Sequence, residues 1–161
     1  VIAHEVARHL TAAGEPPAGL VLIDSHAGVL QRGDARALAL MAAGAALPED
    51  VVEEFDDSLL IAGGGYARVL EGWHPRPAPG PVQEPASSEP PSLPPTLLLR
   101  GRPTPDMRRL DPEGDWQPHW PLPHDAVDVP GDHYSVVHQQ ADATAAAIRT
   151  WLTATQNRST R

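Results

Sequence analysis

Gly19-Leu20-Val21-Leu22-Ile23-Asp24 is a short, unbroken apolar run that ends on a carboxylate. Four consecutive apolar residues between a glycine and an aspartate fit a strand buried on both faces of a parallel sheet. Upstream, residues 1–13 place Ile2, Ala3, Val6, Ala7 and Leu10 at helical spacing. Gly14 is suited to stop that helix, and Glu15-Pro16-Pro17 to turn the chain. Helix, short loop and buried strand are half of a βαβ unit, which sets the fold class as α/β.

Two more strands come later in the chain. Thr96-Leu97-Leu98-Leu99 has the same unbroken apolar character, and residues 125–129 form a third, shorter candidate. A last helix is predicted over residues 135–154, with Val136, Val137, Ala141, Ala145, Ile148 and Leu152 as its apolar face. Between the first two strands the pattern changes. Residues 33–47 are rich in Ala and Leu, Pro48 suits the first turn of a helix over residues 49–57, and Ser58 suits the N-cap of a third over residues 58–71. Three successive helices without a strand are an excursion from α/β alternation, of the kind that covers a site. Residues 74–95 then hold about half of the 19 prolines, the composition of an extended or flexible insert. The expected organisation is therefore core helix and strand (1–32), helical lid (33–73), proline-rich insert (74–95), and C-terminal core strands and helix (96–161).

Composition narrows the function. The 161 residues, 41% of them apolar, suffice for the core of one domain. A net charge of −9 opposes phosphate backbones, so no nucleic-acid partner is expected. No apolar run reaches the roughly 20 residues that span a bilayer, so no membrane partner is expected either. The absence of cysteine removes disulfides, thiolate metal sites and cysteine nucleophiles. It agrees with a cytoplasmic location. His119, His124, His133 and His138 show no H-x-x-x-H pairing, and no metal is expected.

The chemistry gathers at strand ends, where open α/β sheets carry their reactive groups. Asp24 closes the first strand, and His133 comes directly after Val127-Asp128-Val129-Pro130-Gly131-Asp132 at the end of the third. A histidine on such a turn can swing its imidazole over the sheet end, and an aspartate on a neighbouring strand can accept its Nδ1–H. A serine nucleophile upstream, then Asp, then His, is the chain order of α/β hydrolases. Asp106, in the loop after the second strand, is the rival acid. Asp24 is favoured because it lies immediately at a strand end.

The stretch Ala3-His4-Glu5-Val6-Ala7-Arg8-His9-Leu10, with Gly14-Glu15-Pro16-Pro17 and Leu20-Val21-Leu22-Ile23-Asp24, resembles the segment just after the Gly-His-Ser-x-Gly elbow in the thioesterase domains that terminate modular polyketide synthases. Residues 57–73 look like their lid and its exit, and Pro95-Thr96-Leu97-Leu98-Leu99 like the next core strand. Trp116-Gln117-Pro118-His119-Trp120-Pro121, His124-Asp125 and Val129-Pro130-Gly131-Asp132-His133-Tyr134 are the strongest match. The proline-rich insert departs from the family's compact pattern.

The resemblance implies the C-terminal part of an α/β-hydrolase fold with a helical lid. The N-terminal strands and the elbow would lie ahead of Val1, where the chain starts without Met. It implies Asp24 as triad acid and His133 as general base. The acyl chain would arrive on the phosphopantetheine of an acyl carrier protein, with no cofactor of the enzyme's own. Release would be hydrolytic or by macrolactonisation. Upstream synthase modules are the implied partners, and a homodimer stays open. The alternatives are a nonribosomal-peptide or stand-alone editing thioesterase, and an inactive remnant of a broken gene. Taken alone, the 161 residues are expected to leave an apolar strand edge open and to self-associate.

Overall fold

The computed structural model describes residues 2–27, 73–77, 93–103, 108, 117–133 and 135–159. The expected helices over residues 33–47, 49–57 and 58–71, and the rival acid Asp106, lie outside the described residues. By contacts the chain divides into two compact units. One comprises Val1–Ala27, Pro75–Arg102 and Gln117–Arg161, the other Gly28–His74 and Pro103–Trp116. The first unit contains the sheet and the two α-helices packed with it.

Helix α1 (Ile2–Ala12) leads to strand β1 (Leu20–Ile23), and β2 (Thr96–Arg102) and β3 (Asp125–Asp132) complete a sheet of order β1-β2-β3 among the described residues. Both pairings are parallel, with Leu20 opposite Thr96 and Leu97 opposite Asp125. In the middle strand Thr96, Leu97, Leu98 and Leu99 are all buried, as an unbroken apolar run in a parallel sheet requires. Leu97, Leu99 and Val129 face helix α2 (Ala141–Ser159) and form the core with Val136 and Trp151.

The described elements correspond to those expected from the sequence, with differences of detail. First, β2 and β3 run three residues further than expected, to Arg102 and Asp132. Pro130 is tolerated because β3 has its only described strand partner on one side. Second, the last helix does not start at Ser135. Residues Ser135–Val137 form a 3-10 turn whose first carbonyl accepts N–H groups from both His138 and Gln140, and the α-helix begins only at Ala141. Its inward face is Thr144, Ile148, Trp151 and Thr155, spaced as one helical stripe. Val137, placed on the apolar face by the sequence reading, is 49% exposed.

Third, α1 turns a different face inward. Its buried residues are His4, Ala7 and Thr11, while Ile2, Val6 and Leu10 face outward. The polar members of the buried stripe make specific contacts. Thr11 Oγ donates to the Ala7 carbonyl (2.8 Å), and the His4 ring packs edge-on against the buried Trp120 at 5.2 Å. His4 Nε2 also lies 3.0 Å from the Arg76 carbonyl, and the Arg8 guanidinium donates to the Pro77 carbonyl at 2.7 Å. The start of the proline-rich stretch is thus fastened to α1. Burial pushes His4 below its ordinary imidazole value. Helix α1 ends as expected at Gly14. The left-handed φ of +83° there lets the Glu15 N–H reach back to the Leu10 carbonyl at 2.9 Å.

Candidate active site

Asp24 leaves β1 in a left-handed conformation, with φ +44°, and its N–H still completes the ladder to the Leu99 carbonyl at 2.8 Å. A non-glycine residue in that region costs about 1–3 kcal/mol, and aspartate is among the residues that tolerate it best. The turn points the carboxylate across the end of β2. Asp24 is 7% exposed, and both of its oxygens are held. Oδ1 accepts the Gly101 N–H at 2.7 Å, and Oδ2 lies 2.8 Å from His133 Nδ1. A carboxylate can only accept, so Nδ1 carries the proton and donates. That leaves Nε2 as the basic nitrogen of the neutral ring.

The sequence reading puts these two residues on neighbouring strands. The structure brings them together across an intervening one, because β2 lies between β1 and β3. Gly101 makes the bridge. The β2–β3 register slips there, from Arg100 opposite Asp128 to Arg102 opposite Asp132, so β3 crowds over the glycine. A Cβ at position 101 would stand 3.1 Å from Asp24 Oδ1 and 3.2 Å from the Asp132 carbonyl carbon. Sequence reasoning missed Gly101 because it ended the strand at Leu99. The available signal was a glycine inside a strand, which marks a bulge or a close backbone approach. Gly101→Ala is therefore expected to lower any activity that depends on the Asp24–His133 pair by about ten-fold or more while leaving the chain folded. Circular dichroism alongside kinetics checks this.

His133 is the more open partner, its side chain 47% exposed against 8% for Asp24. Its pKa is raised above the ordinary imidazole value. The hydrogen bond to Asp24 is the largest cause, burial opposes it, and the charges of Asp24 and Asp132 add to the rise. An open cavity of about 390 Å³ is lined by Arg100, Gly101, Arg102, Gln117, Asp128, Val129 and Pro130, and neither Asp24 nor His133 is among its lining residues. Arg100, one of the basic residues of the sequence, is tied to Asp128 across the strands at 2.7 Å. Asp125 at the other end of β3 anchors the last helix, accepting from Trp151 Nε1 at 2.6 Å and from Arg158 at 3.0 Å.

A family model described as the thioesterase domain matches residues 1–152. The chain is 32% identical over 160 residues to the spectinabilin polyketide synthase system protein NorC of Streptomyces orinoci, covering 98% of this chain and 6% of that protein. It is 35% identical over 154 residues to the polyketide synthase GfsE of Streptomyces halstedii, covering 94% and 4%. It is 35% identical over 152 residues to the erythronolide synthase EryA3 of Saccharopolyspora erythraea, again 94% and 4%. The chain therefore spans only a small part of the length of these curated relatives. Among its described residues, no helix is long and apolar enough to cross a membrane. A parallel sheet packed against helices and a family match running from residue 1 to residue 152 lead to one conclusion: the chain belongs to the thioesterase domain family.

Proposed function

We propose that this chain is the C-terminal part of an α/β-hydrolase thioesterase domain that releases a polyketide acyl chain from an acyl carrier protein. The observation that carries the reading is the 2.8 Å bond from His133 to an Asp24 carboxylate held by the Gly101 N–H. The nucleophile in this reading is a serine in polypeptide ahead of Val1. His133 Nε2 takes the serine proton as the oxygen attacks the thioester carbonyl. The imidazolium returns that proton to the departing phosphopantetheine thiol, leaving an acyl-serine. Water, or a hydroxyl of the acyl chain, is then deprotonated by the same nitrogen and attacks the ester. The product is a free acid or a macrolactone, and the serine regains its proton. Asp24 fixes the tautomer and stabilises the imidazolium. The relatives, named as polyketide synthase proteins, support the substrate class and an association with synthase modules.

The pH dependence tests this directly. His133 works only as the neutral base, and its pKa is raised. The acid limb of kcat/KM for a short acyl thioester should therefore have its midpoint above the ordinary imidazole value of about 6.5. A limb at or below that value would contradict the assignment. The stability contribution of the same pair runs the other way. A raised folded-state pKa stabilises the protein below the unfolded imidazole value, and the contribution is lost as pH rises through the folded one.

A further inference from the structure

The histidine turn contains a second device that the acid–base reading does not use. Asp132 and Ser135 bracket His133 and bind each other reciprocally. The Asp132 N–H donates to Ser135 Oγ at 2.7 Å, and the Ser135 N–H donates to Asp132 Oδ1 at 3.0 Å. The Ser135 hydroxyl then donates to the same Oδ1 at 2.8 Å. The turn is closed tightly enough to need Gly131. Its φ is +90°, and a Cβ there would stand 2.5 Å from Ser135 Oγ. On its far side, the Ser135 carbonyl accepts from His138 and Gln140, and Thr144 Oγ on α2 donates to the Val136 carbonyl at 2.7 Å. The clamp is thus joined to β3 at one end and to α2 at the other.

We propose that Asp132 and Ser135 are positioning residues, whose reciprocal clamp fixes the backbone of the turn so that the ring of His133 meets Asp24. The inference rests on the acid–base role proposed for His133. A half-exposed ring has room to rotate away from a carboxylate on a distant strand. Fixing the residues on either side of it removes that freedom before substrate binds. The charge of Asp132 is a separate, smaller influence. Among the described residues, Asp24 at the end of β1 and Asp132 on β3 are the charged groups acting on the ring, and both favour its protonated form.

The test uses the intact protein that carries this chain, with two readouts. One is turnover of a short acyl thioester. The other is acylation of the neutral His133 ring by diethyl pyrocarbonate as a function of pH, measured on the His133 peptide by mass spectrometry. Ser135→Ala and Asp132→Ala should lower kcat about ten-fold or more with KM unchanged. In Ser135→Ala the midpoint of His133 modification should also fall. Serine carries no charge, so that shift comes through lost alignment with Asp24. Asp132→Asn keeps the acceptor oxygen and should stay within a few-fold of wild-type turnover. Asp132→Glu keeps the charge but moves the carboxylate, and should be the more damaged of the two. That ordering tests the clamp even if the alanine variants fail to fold. Wild-type kcat and modification midpoint in Ser135→Ala, or Asp132→Asn more impaired than Asp132→Glu, would overturn the proposal. If the wild-type protein cleaved no thioester, the functional reading would fail. The modification midpoints would still decide whether the clamp holds the ring.

Discussion

Asp24→Asn in the intact protein is expected to lower kcat for thioester cleavage by about three to four orders of magnitude, with little change in KM. The amide keeps the size of the carboxylate, and asparagine also tolerates the left-handed φ of +44° at this position. The backbone should therefore hold, and so should an acceptor for the Gly101 N–H. The loss is the negative charge facing His133 Nδ1. The amide satisfies both partners only by turning its oxygen to one and its NH2 group to the other. An NH2 group facing Nδ1 selects the wrong tautomer and puts the proton on Nε2, where the base is needed. The imidazolium formed during the reaction also loses its counter-charge. Asp106→Asn should leave kcat near wild type. Steady-state kinetics on the two variants side by side decides between the acids, and the opposite outcome would transfer the role to Asp106.

Trp151→Ala should be the most damaging single change to stability in the described core, by about 3–5 kcal/mol. The indole is 6% exposed and packs with Leu97, Leu99, Val129 and Val136. Its edge fills the space over Gly19, where a Cβ would stand 2.8 Å from Cη2. Its N–H donates to Asp125 Oδ2 at 2.6 Å. Truncation leaves a cavity between α2 and the sheet and removes the largest tie on that carboxylate. Asp125 is held below its ordinary value, first by the Trp151 hydrogen bond; burial, the next influence, opposes it, and Arg158 and His124 add to the lowering. A depressed carboxylate stabilises the fold above its unfolded pKa, and that contribution is lost as pH falls through the folded one. The wild-type protein should thus lose part of its stability on acidification below the ordinary aspartate range. Trp151→Ala should show a smaller acid-dependent loss on top of its larger constant deficit. Denaturant unfolding at neutral and acid pH measures both.

The sequence carries those parts of the fold that depend on local patterns. Leu20–Ile23 and Thr96–Leu99 are unbroken apolar runs, and a run of that kind has few alternatives to a buried parallel strand. Asp24 is legible because it closes such a run and His133 because it directly follows the third strand, and the structure joins them. The features that escape depend on contacts between distant segments. The inward face of α1 is set by the packing of His4 on Trp120, which outweighs the regular spacing of Ile2, Val6 and Leu10. The role of Gly101 exists only once β3 slips its register over β2. The 3-10 turn at Ser135 exists because one carbonyl accepts two N–H groups and Asp132 captures the serine hydroxyl, neither of which has a periodic signature. Periodicity alone therefore takes Val137 as inward-facing on the last helix and leaves out Trp151.

If Asp24 and His133 act as one acid–base unit in thioester cleavage, as proposed, removing either one disables the other. The most direct measurement compares kcat/KM of the intact protein, His133→Ala, Asp24→Asn and the double variant on one acyl thioester. Groups that act as a unit are grossly non-additive. The double variant is therefore predicted to be about as slow as His133→Ala alone, and that variant to be slower than wild type by at least about three orders of magnitude. Full activity in His133→Ala, or losses that simply multiply in the double variant, would contradict the account.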